Sequence, residues 1–254
     1  MASNETQEAE NGLDELSSDK ATERTESVTG ADVRKTIYLI RHGQTRGNRA
    51  YFHQPDDLPL SKRGLAQAHC LIDALDPLPI EACIASDLFR AKETATIASA
   101  GRWAVETTPL FREIRRPGVL IGKHFLDPRS VVIMGLVYAH AADPDWHWSD
   151  EENVHDTYVR ANDALQYLTE RPETHLAVVS HRGFIASMLS IIKNRAHGTV
   201  RQFLHAGRHS TTLGNASITT LEWCDKPCPG DPLTNTCWKI ESINDRRHLR
   251  KDCR

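Results

Sequence analysis

Two histidines carry the chemistry this sequence makes available. Ile37-Tyr38-Leu39-Ile40 runs into Arg41-His42-Gly43, and Leu176-Ala177-Val178-Val179-Ser180 runs into His181-Arg182-Gly183. Each is an apolar run of strand length that stops at a histidine beside an arginine and a glycine. In an α/β protein, ligands sit at the carboxyl ends of parallel strands. A lone histidine there is ordinarily structural. Two with the same flanking residues read as two sides of one site for an anion. A neutral imidazole can act as a nucleophile, and a guanidinium presents a planar fork of donors to phosphate or carboxylate.

The elements that must position these residues follow from spacing. A strand covers 36–40. Ser61 caps a helix whose Leu65, Ala68, Ile72 and Leu75 share one side until Pro77. A second strand spans 80–85, and Ser86-Asp87 is placed to cap a helix carrying Leu88, Ala91 and Ala95. Arg90 falls in that helix's first turn, where the helix dipole already favours anions, so a cation there suggests that both face the same anion. A third strand is expected at 103–106, helices at 154–168 and 184–192, and a closing hairpin at 216–223 and 236–243. The apolar stretch Val131 to Ala142 reads as a buried helix inside an otherwise poorly patterned segment, 115–150. Alternating strands and helices predict an α/β protein of three layers (α/β/α), a mostly parallel sheet with an antiparallel edge.

Composition narrows the function classes. The 254 residues carry a net charge of −3, but residues 1–33 hold nine acids against Lys20 and Arg24, a balance of −7 that leaves +4 for the remainder. With no aromatic residue and four large aliphatics, that acidic N-terminal segment is expected to be disordered. The predicted organisation is this tail, a domain over 34–249 and a short basic tail over 250–254. No apolar run reaches the roughly 20 residues a membrane span needs, and the weak positive balance carries no long basic stripe, so neither a membrane nor a nucleic-acid partner is expected. Without a basic start and apolar core resembling a signal peptide, the expected location is cytoplasmic. Six cysteines in a chain this long do not form a disulfide scaffold. Cys224, Cys228 and Cys237 could be free, bridged or metal-bound, and the absence of a fourth ligand at zinc spacing argues against a metal. The sequence leaves the oligomeric state open, a homodimer included.

Taken together the motifs carry a resemblance. Arg41-His42-Gly43-Gln44-Thr45 with Asn48 resembles the RHG signature of the histidine phosphatase (phosphoglycerate mutase-like) superfamily. In order along the chain, Ser86-Asp87-Leu88-Phe89-Arg90 resembles its second arginine motif, Phe111-Arg112-Glu113-Ile114 its acid motif, and Ser180-His181-Arg182-Gly183 its second histidine motif. The resemblance covers about residues 36–249 and implies a phosphoglycerate mutase-like fold, no cofactor and no metal. It implies that His42 is the nucleophile, forming a phosphohistidine. Arg41, Asn48, Arg90, the Gly43 region and, if protonated, His181 then hold the phosphoryl group. Glu113 serves as proton donor, with a pKa expected to be raised by burial or by the dianion. Gln44 stands where many members have Glu, and Arg182 where many have a small residue.

The function expected from this resemblance is hydrolysis of a small phosphorylated metabolite. A phosphoglycerate mutase and a non-catalytic scaffold on the same fold are the alternatives. Arg115-Arg116-Pro117-Gly118 does not resemble what mutases carry after the acidic residue. Arg115, Arg116 and Lys123 instead suggest a substrate with additional negative charge.

Overall fold

A computed structural model describes residues 34–194, 213–227, 237–250 and 253. The expectation for residues 1–33 lies outside these, as do Cys228 and most of the loop joining the last two strands.

Six strands form one sheet in the order β3-β2-β4-β1-β5-β6. They are β1 (Arg34–Arg41), β2 (Ala82–Ser86), β3 (Val105–Thr108), β4 (His175–Ser180), β5 (Ile218–Cys224) and β6 (Cys237–Asp245). The pairs β1–β4, β4–β2 and β2–β3 are parallel, whereas β5 pairs antiparallel with β1 and β6 with β5. The sheet is therefore mostly parallel with an antiparallel edge.

The period-2 alternation of β1 divides the core. Ile37 and Leu39 turn to one face and pack with Ile84, Val178 and the apolar sides of α5 (Val154–Glu170) and α6 (Arg182–Lys193). Tyr38 and Ile40 turn to the other, against α2 (Lys62–Leu75) and α3 (Phe89–Ser99) through Leu71, Leu75, Ala91 and Ala95. Both faces being covered explains why these strands read as continuous apolar runs.

The helix α2 starts where its sequence indicates, with the Ser61 side chain accepting from the Gly64 N–H. At α5 the cap is a reciprocal box between Asn153 and Asp156. Two expectations are corrected. The cap residue of α3 is Leu88, which has no side chain able to accept a hydrogen bond. Ser86 instead accepts the Leu88 N–H within the turn, and Asp87 is taken by Arg112. The apolar stretch near 131 forms α4 (Pro128–Ala139), but this helix is not buried: Val132 is 62% exposed and Tyr138 51%. Only Ser130, Ile133 and Val137 are buried. Its residues are apolar almost all round, so periodicity could not reveal that one narrow stripe meets the core. The third strand lies two residues later than expected, at Val105–Thr108.

At the hairpin, Cys237 is disulfide-bonded and Cys224 is free. Near the C-terminus Cys253 is buried. Its sulfur lies 3.3 Å from that of Cys70 on α2, and its carbonyl accepts a hydrogen bond from Gln67. No helix among the described residues is long and apolar enough to cross a membrane.

Candidate active site

Strands β1 and β4 are neighbours and end in register, Arg41 opposite Ser180. The two histidines that follow are therefore brought together although 139 positions separate them in the chain (181 − 42). Their ring centroids lie 5.0 Å apart, and the side chains are 2% and 0% exposed.

The His42 Nδ1 lies 2.7 Å from the Gly43 carbonyl oxygen. A carbonyl can only accept, so Nδ1 carries the proton and Nε2 keeps its lone pair. Burial, reinforced by the Arg90 and Arg41 guanidiniums, holds this imidazole well below its usual pKa, so it is neutral. The loop is pinned on several sides. The Gly43 N–H donates to Thr94, the Gln44 N–H to Gln67, and Asn215 donates to the His42 carbonyl. Gly43 also lies against Gly64 at the start of α2, where a Cβ on Gly43 would stand 2.6 Å from the Gly64 carbonyl oxygen. With its N–H taken and its Cα packed on α2, Gly43 is not a phosphate ligand. It permits a close backbone approach.

His181 meets Ser86 through Nε2 at 2.9 Å, and its Nδ1 is buried without a partner. Burial, then Arg90 and His42, hold its pKa well below the usual range. The condition attached to His181, that it be protonated, is therefore disfavoured by its burial in this site.

Arg41 and Arg90 are buried, and each has an Nε with no hydrogen-bond partner. Arg41 donates to the Leu213 carbonyl and Arg90 to that of Pro55. Burial, with neighbouring Arg182, pushes Arg41 down to about 9. Glu113 is near enough to act on both, but neither forms an ion pair among the described residues, and buried cations so placed mark a site prepared for an anion. Asn48 closes this end. Its Oδ1 accepts from the Thr45 N–H and from Asn215, which leaves its NH2 available as a donor.

Glu113 follows the 3-10 turn Pro109–Phe111. Its carboxylate accepts the N–H groups of Ile114, Gly183 and Phe184, the last two in the first turn of α6. The loop is tied down next to it: Arg160 forms an ion pair with Glu152 and donates to the carbonyls of Leu110 and Arg112.

Arg41, Asn48, Arg90, Glu113, Arg115 and Arg116 all line one cavity of about 450 Å³, and Arg182 joins them. His42 and His181 are buried and are not part of the lining. Lys123 is not part of the lining. Arg112 and Arg160 are neutralised by Asp87 and Glu152, whereas no ion pair is seen for Arg115, Arg116 or Arg182 among the described residues. Gly64, Thr94, Gln67, Asn215 and Arg160 were not legible as site residues, because each acts by holding a catalytic segment contributed from elsewhere in the chain.

The family model of the histidine phosphatase superfamily (branch 1) matches residues 37–228. A probable phosphoglycerate mutase of Yersinia pestis is 29% identical over 223 residues, 84% of this chain and 94% of the relative. Among solved structures, a mycobacterial glucosyl-3-phosphoglycerate phosphatase superposes with a TM-score of 0.62 at 23% identity, covering 84% of this chain and all of that one. A phosphoserine phosphatase from Entamoeba histolytica superposes with a TM-score of 0.63 at 20% identity, covering 85% of this chain and 100% of that one. At these identities the structural likeness establishes the fold alone.

Proposed function

The chain belongs to the histidine phosphatase superfamily, and on that premise we propose that it is a metal-independent phosphatase acting on a small phosphorylated metabolite through a phosphohistidine at His42. The observation that carries this reading is the neutral His42, fixed through Nδ1 by the Gly43 carbonyl beside two buried arginines. The donor set around His42 is imidazole and guanidinium; of the carboxylates lining the cavity, Glu113 accepts backbone N–H groups while Asp56 and Glu152 lie against Arg112 and Arg160, a set that suits an anion better than a divalent cation.

In this reading, Arg41, Arg90 and the Asn48 amide bind the phosphoryl oxygens, and their contacts strengthen as charge spreads over those oxygens. The Nε2 lone pair of His42 attacks phosphorus as the bond to the ester oxygen breaks. The Glu113 carboxyl gives its proton to that oxygen, then accepts one from the water that attacks the phosphohistidine. Phosphate leaves and His42 is again neutral. His181 contributes one N–H and, as the dianion arrives, can take up a proton.

The test is hydrolysis of an aryl phosphate in EDTA by wild type and His42→Ala. Turnover in EDTA that this change abolishes is expected. Turnover that requires metal and survives the change would overturn the mechanism. The similarity to a probable phosphoglycerate mutase supports a second reading, phosphoryl transfer between positions of one substrate. Exchange between phosphoglycerates exceeding release of inorganic phosphate would favour it.

A further inference from the structure

The phosphate-binding groups supply only part of the cavity lining. Another part is an apolar wall: Tyr51, Phe52, Ile121 and Phe125 line it, with exposures of 62%, 38%, 41% and 39%. Large apolar side chains left open to water in a shared concave surface mark a place where another apolar group is received.

This wall is built. The segments after α1 (Arg46–Ala50) and before α4 are laced together by backbone hydrogen bonds, from Phe125 to Tyr51, from His53 to Lys123 and from Gly122 to His53. Phe52 bridges antiparallel to His124, and the Phe125 ring meets His53 edge-on at 4.7 Å. Tyr51 holds φ 56° and ψ 42°, the left-handed region, where glycine would sit without strain. A bulky ring kept there at a conformational cost, in the lining of the cavity, is the kind of outlier that accompanies function.

We propose that the alcohol portion of the substrate carries a flat apolar group that lies on Tyr51, Phe52, Ile121 and Phe125 while the phosphate reaches Arg41 and Arg90. The assignment rests on the phosphatase reading and gives it a substrate class: apolar, ring-bearing phosphomonoesters instead of short polyol phosphates. The wall acts in binding and does not touch the reacting atoms.

The experiment compares primary alkyl esters of similar leaving-group strength, ethyl phosphate and 2-phenylethyl phosphate. The expected kcat/KM ratio favours the phenylethyl ester about tenfold or more. In Phe52→Ala/Phe125→Ala that ratio falls towards one. Tyr51→Gly, which keeps the turn because glycine adopts it freely, lowers the ratio as well. A wild-type ratio of one or less overturns the proposal and leaves the phosphatase intact. Calorimetric binding of the corresponding phosphonates asks the same question without turnover. Tighter binding of the phenylethyl compound supports the wall, and equal affinities overturn it. Phenylethyl preference in binding with neither ester hydrolysed would keep the wall and sink the phosphatase reading.

Discussion

Gly183 lies so close to Glu113 that a Cβ at position 183 would stand 2.5 Å from the Glu113 Oε1. The glycine two residues after the second histidine thus shapes the seat of the carboxylate, to which it also donates its N–H. Gly183→Ala should push Glu113 off its seat and lower kcat for alkyl phosphates by about a hundredfold, the scale of a lost general acid. Aryl phosphates, whose leaving groups need little protonation, should lose much less. Equal losses on both would show that Glu113 does not deliver the proton.

Arg115 and Arg116 line the cavity without an ion pair among the described residues. Replacing both by Ala should raise KM at least tenfold for substrates bearing a second anionic group, while that for ethyl phosphate changes little. Parallel changes would mean that the pair sets only the general field of the site.

Gly64 is a structural counterpart of the catalytic loop. A Cβ there would stand 2.0 Å from the Gln44 carbonyl oxygen. Gly64→Ala should therefore displace the segment that carries His42, costing about 1–3 kcal/mol of stability together with a fall in kcat. Denaturant unfolding and turnover measured on the same preparation would check both. Unchanged values would mean that α2 shifts freely.

Acid should destabilise the protein through its buried histidines. Burial and neighbouring arginines lower the pKa of His42 and His181, and burial with Arg116 lowers His53 to about 4. Below pH 6.5 the unfolded chain binds protons that the folded chain does not, so the stability present above 6.5 is lost as pH falls. For His53 this window runs from 6.5 to about 4. His53→Phe, which also removes a buried Nε2 without a partner, should flatten the decline by up to about 1.4 kcal/mol per pH unit. Denaturant midpoints at pH 7.5 and 5 would show it, and an unchanged slope would count against a neutral His53.

The amino-acid sequence alone determined the layered α/β architecture, because strands covered on both faces leave apolar runs and amphipathic helices leave a period of 3.6. It also determined which residues to watch. His42, His181, Arg41 and Arg90 stand at strand ends or a helix start, where the pattern breaks, whereas Glu113 was singled out only by the family resemblance. Tertiary structure decided how they are used. The neutrality of His181 comes from burial between Arg90 and His42, and the occupation of the Gly43 N–H comes from Thr94 on another helix. Neither can be read locally, since each depends on groups far apart in the chain. The same holds for Arg182, which the sequence placed beside the second histidine without a role and which the start of α6 carries into the cavity. The exposure of α4 and the apolar wall of Tyr51, Phe52, Ile121 and Phe125 were likewise settled only by packing, because an apolar residue looks the same in sequence whether it meets a core or a ligand.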